Sequence, residues 1–352
     1  MLWFEQSPQA QNGQSPPLWA TLSTDLIQAR PPVTGGRHMQ MERTIPAEKK
    51  RKKGLLSTLS EQKYLLFMSV PFMVLVFIFS YIPIWGWTMA FQRYRPSKTF
   101  WEQEWVGFAN FVKMFEDPNF YLALKNTLGM SVLGLIIGFT MPILFALLLN
   151  ELRNGFFKRF VQTVSYLPHF VSWVVVSGLV YKMLSTDDGP INQLIAMFGY
   201  EKVQFMAKSE YFWFVVVLSD LWKELGWNTI IYLSAITAID GSLYEAAKVD
   251  GANRWQLMRH VTLPGISRVI VILLVLSIGH LISIGFEKQM LLGNPLVSDA
   301  SQVLDLYALK YGIGENNFSF GTAINVINSV VGLMLLFGAN GFFKKRTGES
   351  VI

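Results

Sequence analysis

Six long apolar stretches limit what this chain can fold into more than any other feature. They run roughly over 64–90, 122–149, 160–183, 211–237, 266–291 and 318–343. A helix needs about 20 apolar residues to cross the hydrocarbon core of a bilayer. In lipid no water is present to satisfy backbone N–H and C=O groups, so segments of this kind fold as helices. The expected fold class is therefore an all-α membrane protein of about six transmembrane helices. Composition agrees: 15% of the 352 residues are charged, against about 25% in soluble domains.

Charge in the connections sets the orientation, because Lys and Arg concentrate on the cytoplasmic side. One alternate set of connections holds Lys49, Lys50, Arg51, Lys52, Lys53, Lys63, Arg153, Lys158, Arg159, Lys248, Arg254, Arg259, Lys344, Lys345 and Arg346. The opposite set holds Arg93, Arg95, Lys98, Lys113, Lys202, Lys208 and Lys310, with Lys182 and Lys288 at span boundaries. Both termini are accordingly expected in the cytoplasm. The basic run at 49–53 is then the flank of a membrane helix rather than a nucleic-acid site.

Residues 1–60 read as a cytoplasmic tail, polar and mostly without apolar periodicity, with Met39 or Met41 as an alternative start. Residues 61–121 hold the first span and an external segment, in which Trp101, Trp105, Phe108, Phe111 and Phe115 are expected to fold onto the membrane surface. Residues 122–345 form the helical core and 346–352 a cytoplasmic C-terminal tail. No internal repeat stands out. The chain has no cysteine, which excludes disulfides, thiolate metal sites and Cys nucleophiles. Its four histidines are His38, His169, His260 and His280; no H-E-x-x-H and no G-x-S-x-G pattern occurs, so no catalytic residue and no metal site is expected.

The connection at 240–264 is unlike the others. Ser242 is placed to cap a short helix, with Glu245 three residues later completing a capping box. Helix formers run on to Asp250, Gly251 permits a sharp turn, a second short helix follows, and Pro264 opens the next span. Local physics alone leaves two readings: an amphipathic loop on the membrane surface, or a compact protruding knob.

The residues narrow that choice. Glu245-Ala246-Ala247, three residues, Gly251, nine residues, then Val261-x-Leu263-Pro264 resembles the signature loop of binding-protein-dependent ABC importer permeases. Trp105 to Phe111, Leu124 to Leu128, Leu167 to Phe170, Trp222 to Asn228 and Asn294 to Val297 resemble the carbohydrate branch. Within it they are similar to permeases for complex polysaccharides and for alginate- or pectin-derived oligosaccharides. The resemblance implies a type I importer fold in the bacterial inner membrane, and a heterodimer with a second permease. It further implies two ATPase subunits holding ATP and Mg, a solute-binding protein outside, and an oligosaccharide substrate. Tyr244, Glu245, Ala246, Ala247, Asp250, Gly251 and Ala252 would form the segment coupled to the ATPase. The chain has no G-x-x-x-x-G-K-[ST] loop of its own, so no cofactor is expected in it, and ATP hydrolysis would reside in the partner. A permease for a non-sugar solute, or a channel, are the alternatives.

Span four carries Asp220, Lys223 and Glu224, each costing roughly 2.5–3.5 kcal/mol at the bilayer centre unless paired or facing water. Asp220 and Lys223 are an i, i+3 pair. The cluster either locks helices together or contacts substrate. Trp222, Lys223, Glu224, Trp227, Asn228, His280, Asn325 and Asn328 are the candidate substrate-pathway residues. Pro168, just before His169, is expected to kink span three.

Overall fold

The structure, a computed structural model, describes residues 62–152 and 155–347; the tail at 1–60, its alternative start sites, Arg153 and the last residues lie outside them. Helix α1 (Lys63–Val76) continues through a π turn at Phe77–Tyr81 into a 3-10 stretch at Ile82–Phe91. The wide turn closes where Pro83, lacking an N–H, enters the next stretch. A two-residue hairpin follows, β1 (Gln92–Arg93) antiparallel to β2 (Glu104–Trp105), then α2 (Ala109–Glu116). Phe111 of α2 is buried, whereas Trp101, Trp105, Phe108 and Phe115 are exposed.

Asp117 accepts a hydrogen bond from the Asn119 amide at 2.9 Å, with Pro118 in the first turn, and so starts the 34-residue α3 (Pro118–Glu151). Both choices suit a helix N-terminus, where the carboxylate serves an orphan amide and proline loses nothing. Beyond it lie α4 (Phe156–Tyr166), a 3-10 turn at Leu167–Phe170, α5 (Trp173–Leu184) and α6 (Pro190–Met197). The longest later helices are α7 (Ser209–Thr237) and α15 (Phe318–Thr347). Between them run α8 (Gly241–Val249), α9 (Arg254–Leu257), α10 (Leu263–Gly265) and α11 (Ser267–Gly279). Three short helices complete the set: α12 (Glu287–Leu292), α13 (Ser298–Ser301) and α14 (Leu304–Leu309).

Helices α3 and α7 form the central pair. Met130, Phe212 and Val216 pack with Leu292, Val297 and Val303 near one end, and Ala146, Leu147, Tyr232, Ile236 and Ile266 pack near the other. A third cluster joins Met114 and Phe120 to Ile282, Leu304, Tyr307, Phe320 and Ile324. Polar side chains satisfy backbone between elements. Asn126 of α3 donates to the carbonyls of Asp299 at 2.7 Å and Gln302 at 2.9 Å, and the Leu304 amide donates to Thr127 at 2.9 Å. Small residues allow close helix approach, as is common in membranes. A Cβ on Gly226 of α7 would lie 2.1 Å from the Ser165 carbonyl oxygen of α4.

Three segments among the described residues have the length and apolarity to cross a membrane outright: Lys63–Phe91, Pro118–Glu151 and Phe318–Arg346. Two of the expected spans are not single helices. Span three breaks by 107° between Phe156–Phe170 and Trp173–Leu184. Pro168 and the extended Ser172, whose side chain caps α5, place the break. Span five bends by 59° between Arg254–Gly265 and Ser267–Gly279, then leaves the helix altogether between His280 and Phe286, where Gly285 adopts φ +77. Helix α7 covers span four with 29 residues, about 43 Å at 1.5 Å per residue, and carries the three charges.

Candidate functional site

Two regions stand out. The first is the 240–264 connection. Its first helix begins with Asp240, whose carboxylate accepts from the Ser242 amide at 2.9 Å. That bond holds the Asp240 carboxyl below the usual carboxylate range. The cap is therefore one residue before the helix, and the expected capping box of Ser242 with Glu245 does not form. Ser242 is already in the first helical turn, past the N-cap. The box occurs instead at α9, where the Asn253 amide donates to Gln256 at 2.8 Å and the Gln256 amide donates to Asn253 at 2.9 Å.

Helix α8 ends in a Schellman motif. The Ala252 amide donates to the Ala247 carbonyl at 2.9 Å and the Gly251 amide donates to Lys248 at 3.0 Å, with Gly251 at φ +82. A left-handed residue closing orphan carbonyls in this way favours glycine. Nothing lies within 4 Å of a Cβ built on Gly251, so the requirement is one of backbone conformation and not of space. No residue of α8 is buried. Leu243 is 53% and Val249 88% exposed, beside an exposed Glu245, Ala246 and Asp250. Tyr244 and Ala247 are partly covered, and the Tyr244 hydroxyl lies 3.0 Å from Thr262 Oγ1, anchoring the knob to its stem.

The second region lies where the broken helices meet α3 and α7. The 3-10 turn at Leu167–Phe170 leaves backbone carbonyls without helical partners, and Lys223 Nζ donates to the His169 carbonyl at 2.6 Å. The same ammonium is 3.0 Å from Glu224 Oε1, and Glu224 Oε2 is 2.7 Å from His169 Nδ1. His169 stacks on Trp227, the ring centroids 4.2 Å apart and 2° from parallel. Lys223 is buried, so this network closes on itself across α7 and the kink. Asp220 pairs elsewhere, with Lys288 Nζ of α12 at 3.0 Å. The expected Asp220–Lys223 pair is thus replaced: Asp220 pairs with the distant Lys288, and Lys223 with Glu224 beside it and with the distant His169 carbonyl. The helix breaks supply an orphan carbonyl for one lysine, and bring the other in from a distant turn.

Asp220, Glu224, Asn228, His280, Lys288 and Gln289 line one cavity of about 370 Å³, within the range of small-molecule sites. Of the sequence candidates, Glu224, Asn228 and His280 meet there. Lys223 and Trp227 stand behind Glu224, holding it and its histidine partner. Trp222 does not join them; it faces a separate apolar groove with Leu179, Phe205, Tyr211 and Phe214. Asn325 lines a different pocket, with Ser283, Asp305 and Thr322. Asn328 donates to Asp305 at 3.4 Å, holding two elements together. Lys288 and Gln289 also line the cavity with Glu224, although in sequence they look like the end of a span. The signal that would have found them is Gly285, a helix breaker two residues before an acid–base–amide run.

Residues 120–349 match the model of the family described as binding-protein-dependent transport system inner membrane component. The chain belongs to that permease family. Among relatives of the permease is the polygalacturonan/rhamnogalacturonan transport system permease protein YteP of Bacillus subtilis (strain 168). It is 46% identical over 304 residues, covering 86% of this chain and 95% of the relative. Protein LplB of the same organism is 40% identical over 296 residues, covering 84% and 93%. A crystal structure of a bacterial ABC transporter involved in the import of the acidic polysaccharide alginate superposes with a TM-score of 0.76 at 38% identity. The match covers 83% of the permease and 99% of that chain.

Proposed function

We propose that this permease takes up oligosaccharides, fragments of larger polysaccharides, as half of the membrane pathway of an ATP-driven importer. The names of its relatives support an oligosaccharide substrate. One similar structure is of the alginate transporter in complex with an alginate pentasaccharide-bound periplasmic protein, which supports delivery by an external solute-binding protein. The partners of this reading are a second, related permease and two ATPase subunits that bind ATP and Mg. Both termini and the 240–264 loop face the cytoplasm.

The observation that carries the coupling role is a short helix that is exposed along its length yet fixed at both ends. An exposed apolar face on a rigid element marks a surface for a partner. On α8, Leu243 and Val249 leave apolar side chains exposed and Glu245 leaves an exposed charge. Asp240, Gly251 and the Tyr244–Thr262 contact keep it from yielding. A push from the ATPase on α8 then moves α7 and α11, which border the cavity, instead of bending the loop. Substrate enters among Glu224, Asn228 and His280 when the cavity opens outward and leaves when it opens inward.

The test is Glu245→Ala in the complete importer in proteoliposomes. Oligosaccharide uptake is expected to fall to background while the subunits still assemble and ATP is still hydrolysed. Unchanged uptake by the variant would overturn the coupling role.

A further inference from the structure

The cavity holds polar groups beyond those the transport reading uses. Gln289 is fully buried, lines the cavity, and neither its Oε1 nor its Nε2 has a hydrogen-bond partner among the described residues. A buried amide left unpaired is costly, and the cavity is the space beside Gln289 that a ligand could fill to pair with it. Its neighbour Lys288 also lines the cavity, 19% exposed, with its ammonium 5.9 Å from the centre of the Trp173 ring. Asp220, which neutralises Lys288, is the more open partner at 38%. The second acid on the wall, Glu224, is already held by Lys223 and His169. Lys288 is therefore the cation on this wall whose partner has an open path away from it.

We propose that Lys288 and Gln289 form a subsite for the carboxylate of an acidic sugar residue, with Asp220 as its built-in competitor. The proposal rests on the oligosaccharide reading above. An arriving uronate takes the place of the Asp220 carboxylate on the Lys288 ammonium, and Asp220 turns to the water of the cavity. Gln289 donates from Nε2 to the same carboxylate and accepts a sugar hydroxyl at Oε1. The sugar ring lies near the Trp173 edge of the site. Exchanging one carboxylate for another keeps the net gain small. That suits a passage site: an uncompensated lysine in a dry cavity would hold an anion too tightly to release it.

The probes are a galacturonate trisaccharide and its methyl ester, which has the same shape without the charge. Binding of each to the assembled importer in nanodiscs, without the solute-binding protein, is followed by saturation-transfer NMR. The wild type is expected to prefer the acid. Lys288→Gln is expected to abolish that preference, weakening the acid by about tenfold or more and the ester little, as for loss of one charge-assisted contact. Asp220→Asn is expected to strengthen acid binding and slow its release. The double variant, which leaves neither charge unpaired, guards against misfolding and is expected to bind acid and ester alike. Equal loss of both ligands in Lys288→Gln, with no change in Asp220→Asn, would make the pair structural and overturn the subsite. Uptake of the trisaccharide in proteoliposomes separates the two ideas. If the wild type imports it without acid preference, the subsite falls and the importer reading stands; if it imports neither probe, the importer reading itself falls.

Discussion

The knob at 240–264 and the cavity around α7 are stabilised in opposite ways. In the knob the fixing hydrogen bonds are local: Asp240 to Ser242, Ala247 to Ala252, Asn253 to Gln256. The longest reach is Tyr244 to Thr262. In the cavity the fixing contacts join residues far apart in the chain, Glu224 to His169 and Asp220 to Lys288, and they depend on helices that break. A locally fixed helix can be moved as a unit. A site fixed by pairs across several elements changes shape when those elements move. The contrast suits a lever and the chamber it operates.

The sharpest attack on this contrast is Lys223→Met. It leaves Glu224 with only His169 in a partly buried place, and breaking such a pair costs about 3–5 kcal/mol. The thermal midpoint of the purified protein is expected to fall further than for any knob variant. Lys223→Met combined with Glu224→Gln is expected to recover part of the loss. If Lys223→Met were as stable as the wild type, the network would not be what holds α7 to the kink at Leu167–Phe170.

Next comes Gly226→Ala. The added methyl would meet the Ser165 carbonyl at 2.1 Å, and overpacking of this kind costs about 1–3 kcal/mol. Helices α4 and α7 must part, carrying His169 away from Glu224. The expected result is a lower thermal midpoint together with reduced uptake. Gly129→Ala is a useful contrast. Its obstruction is the Trp213 side chain, at 2.3 Å, and it lies away from the ionic network, so transport should suffer less for similar destabilisation.

These two regions also differ in how far they could be read from sequence. The knob's helix, its glycine turn and its second helix were all legible, because each depends on residues within a few positions. The capping residue is Asp240, two residues upstream of the expected Ser242. The long helices were legible from apolar length, with the ends of α3, α7 and α15 within a few residues of expectation. The cavity was half legible. That three charges in span four must be paired followed from the cost of burying them; which groups they pair with did not. Lys288 reaches Asp220 only because span five unwinds after Gly279, and Lys223 reaches a carbonyl only because span three ends in a 3-10 turn and breaks after Phe170. Continuous apolar runs hide such breaks. Asn325 and Trp222 were grouped with the cavity by residue type and go elsewhere because of the helix faces they occupy.

A smaller effect is expected at Gly251, where stability and coupling should separate. A non-glycine residue in the left-handed region costs roughly 1–2 kcal/mol, and nothing in the surroundings adds a clash. Gly251→Ala is expected to leave assembly unchanged while lowering uptake per ATP hydrolysed, as the end of α8 loosens. Gly251→Asn, which tolerates this conformation better, is expected to retain more coupling. Equal uptake by both variants and the wild type would show that the turn does not transmit force.

The smallest effect is expected at the other end of the same helix. Asp240→Ala removes the N-cap of α8 from a site with no packing to lose. Asp240→Asn keeps a capping oxygen and should behave nearly as the wild type. The carboxyl is held below its ordinary range by the Ser242 amide, so the wild-type contribution is complete above the ordinary carboxylate range. It is lost as the pH falls through the lowered value, while the Asn variant has no such dependence. Hydrogen exchange of the Leu243 and Tyr244 amides reads this directly: faster exchange in Asp240→Ala, and in the wild type only at acid pH. If exchange there is unchanged by either substitution, the rigidity of the knob comes from Tyr244–Thr262 and the Gly251 turn alone, and the lever is fixed at one end.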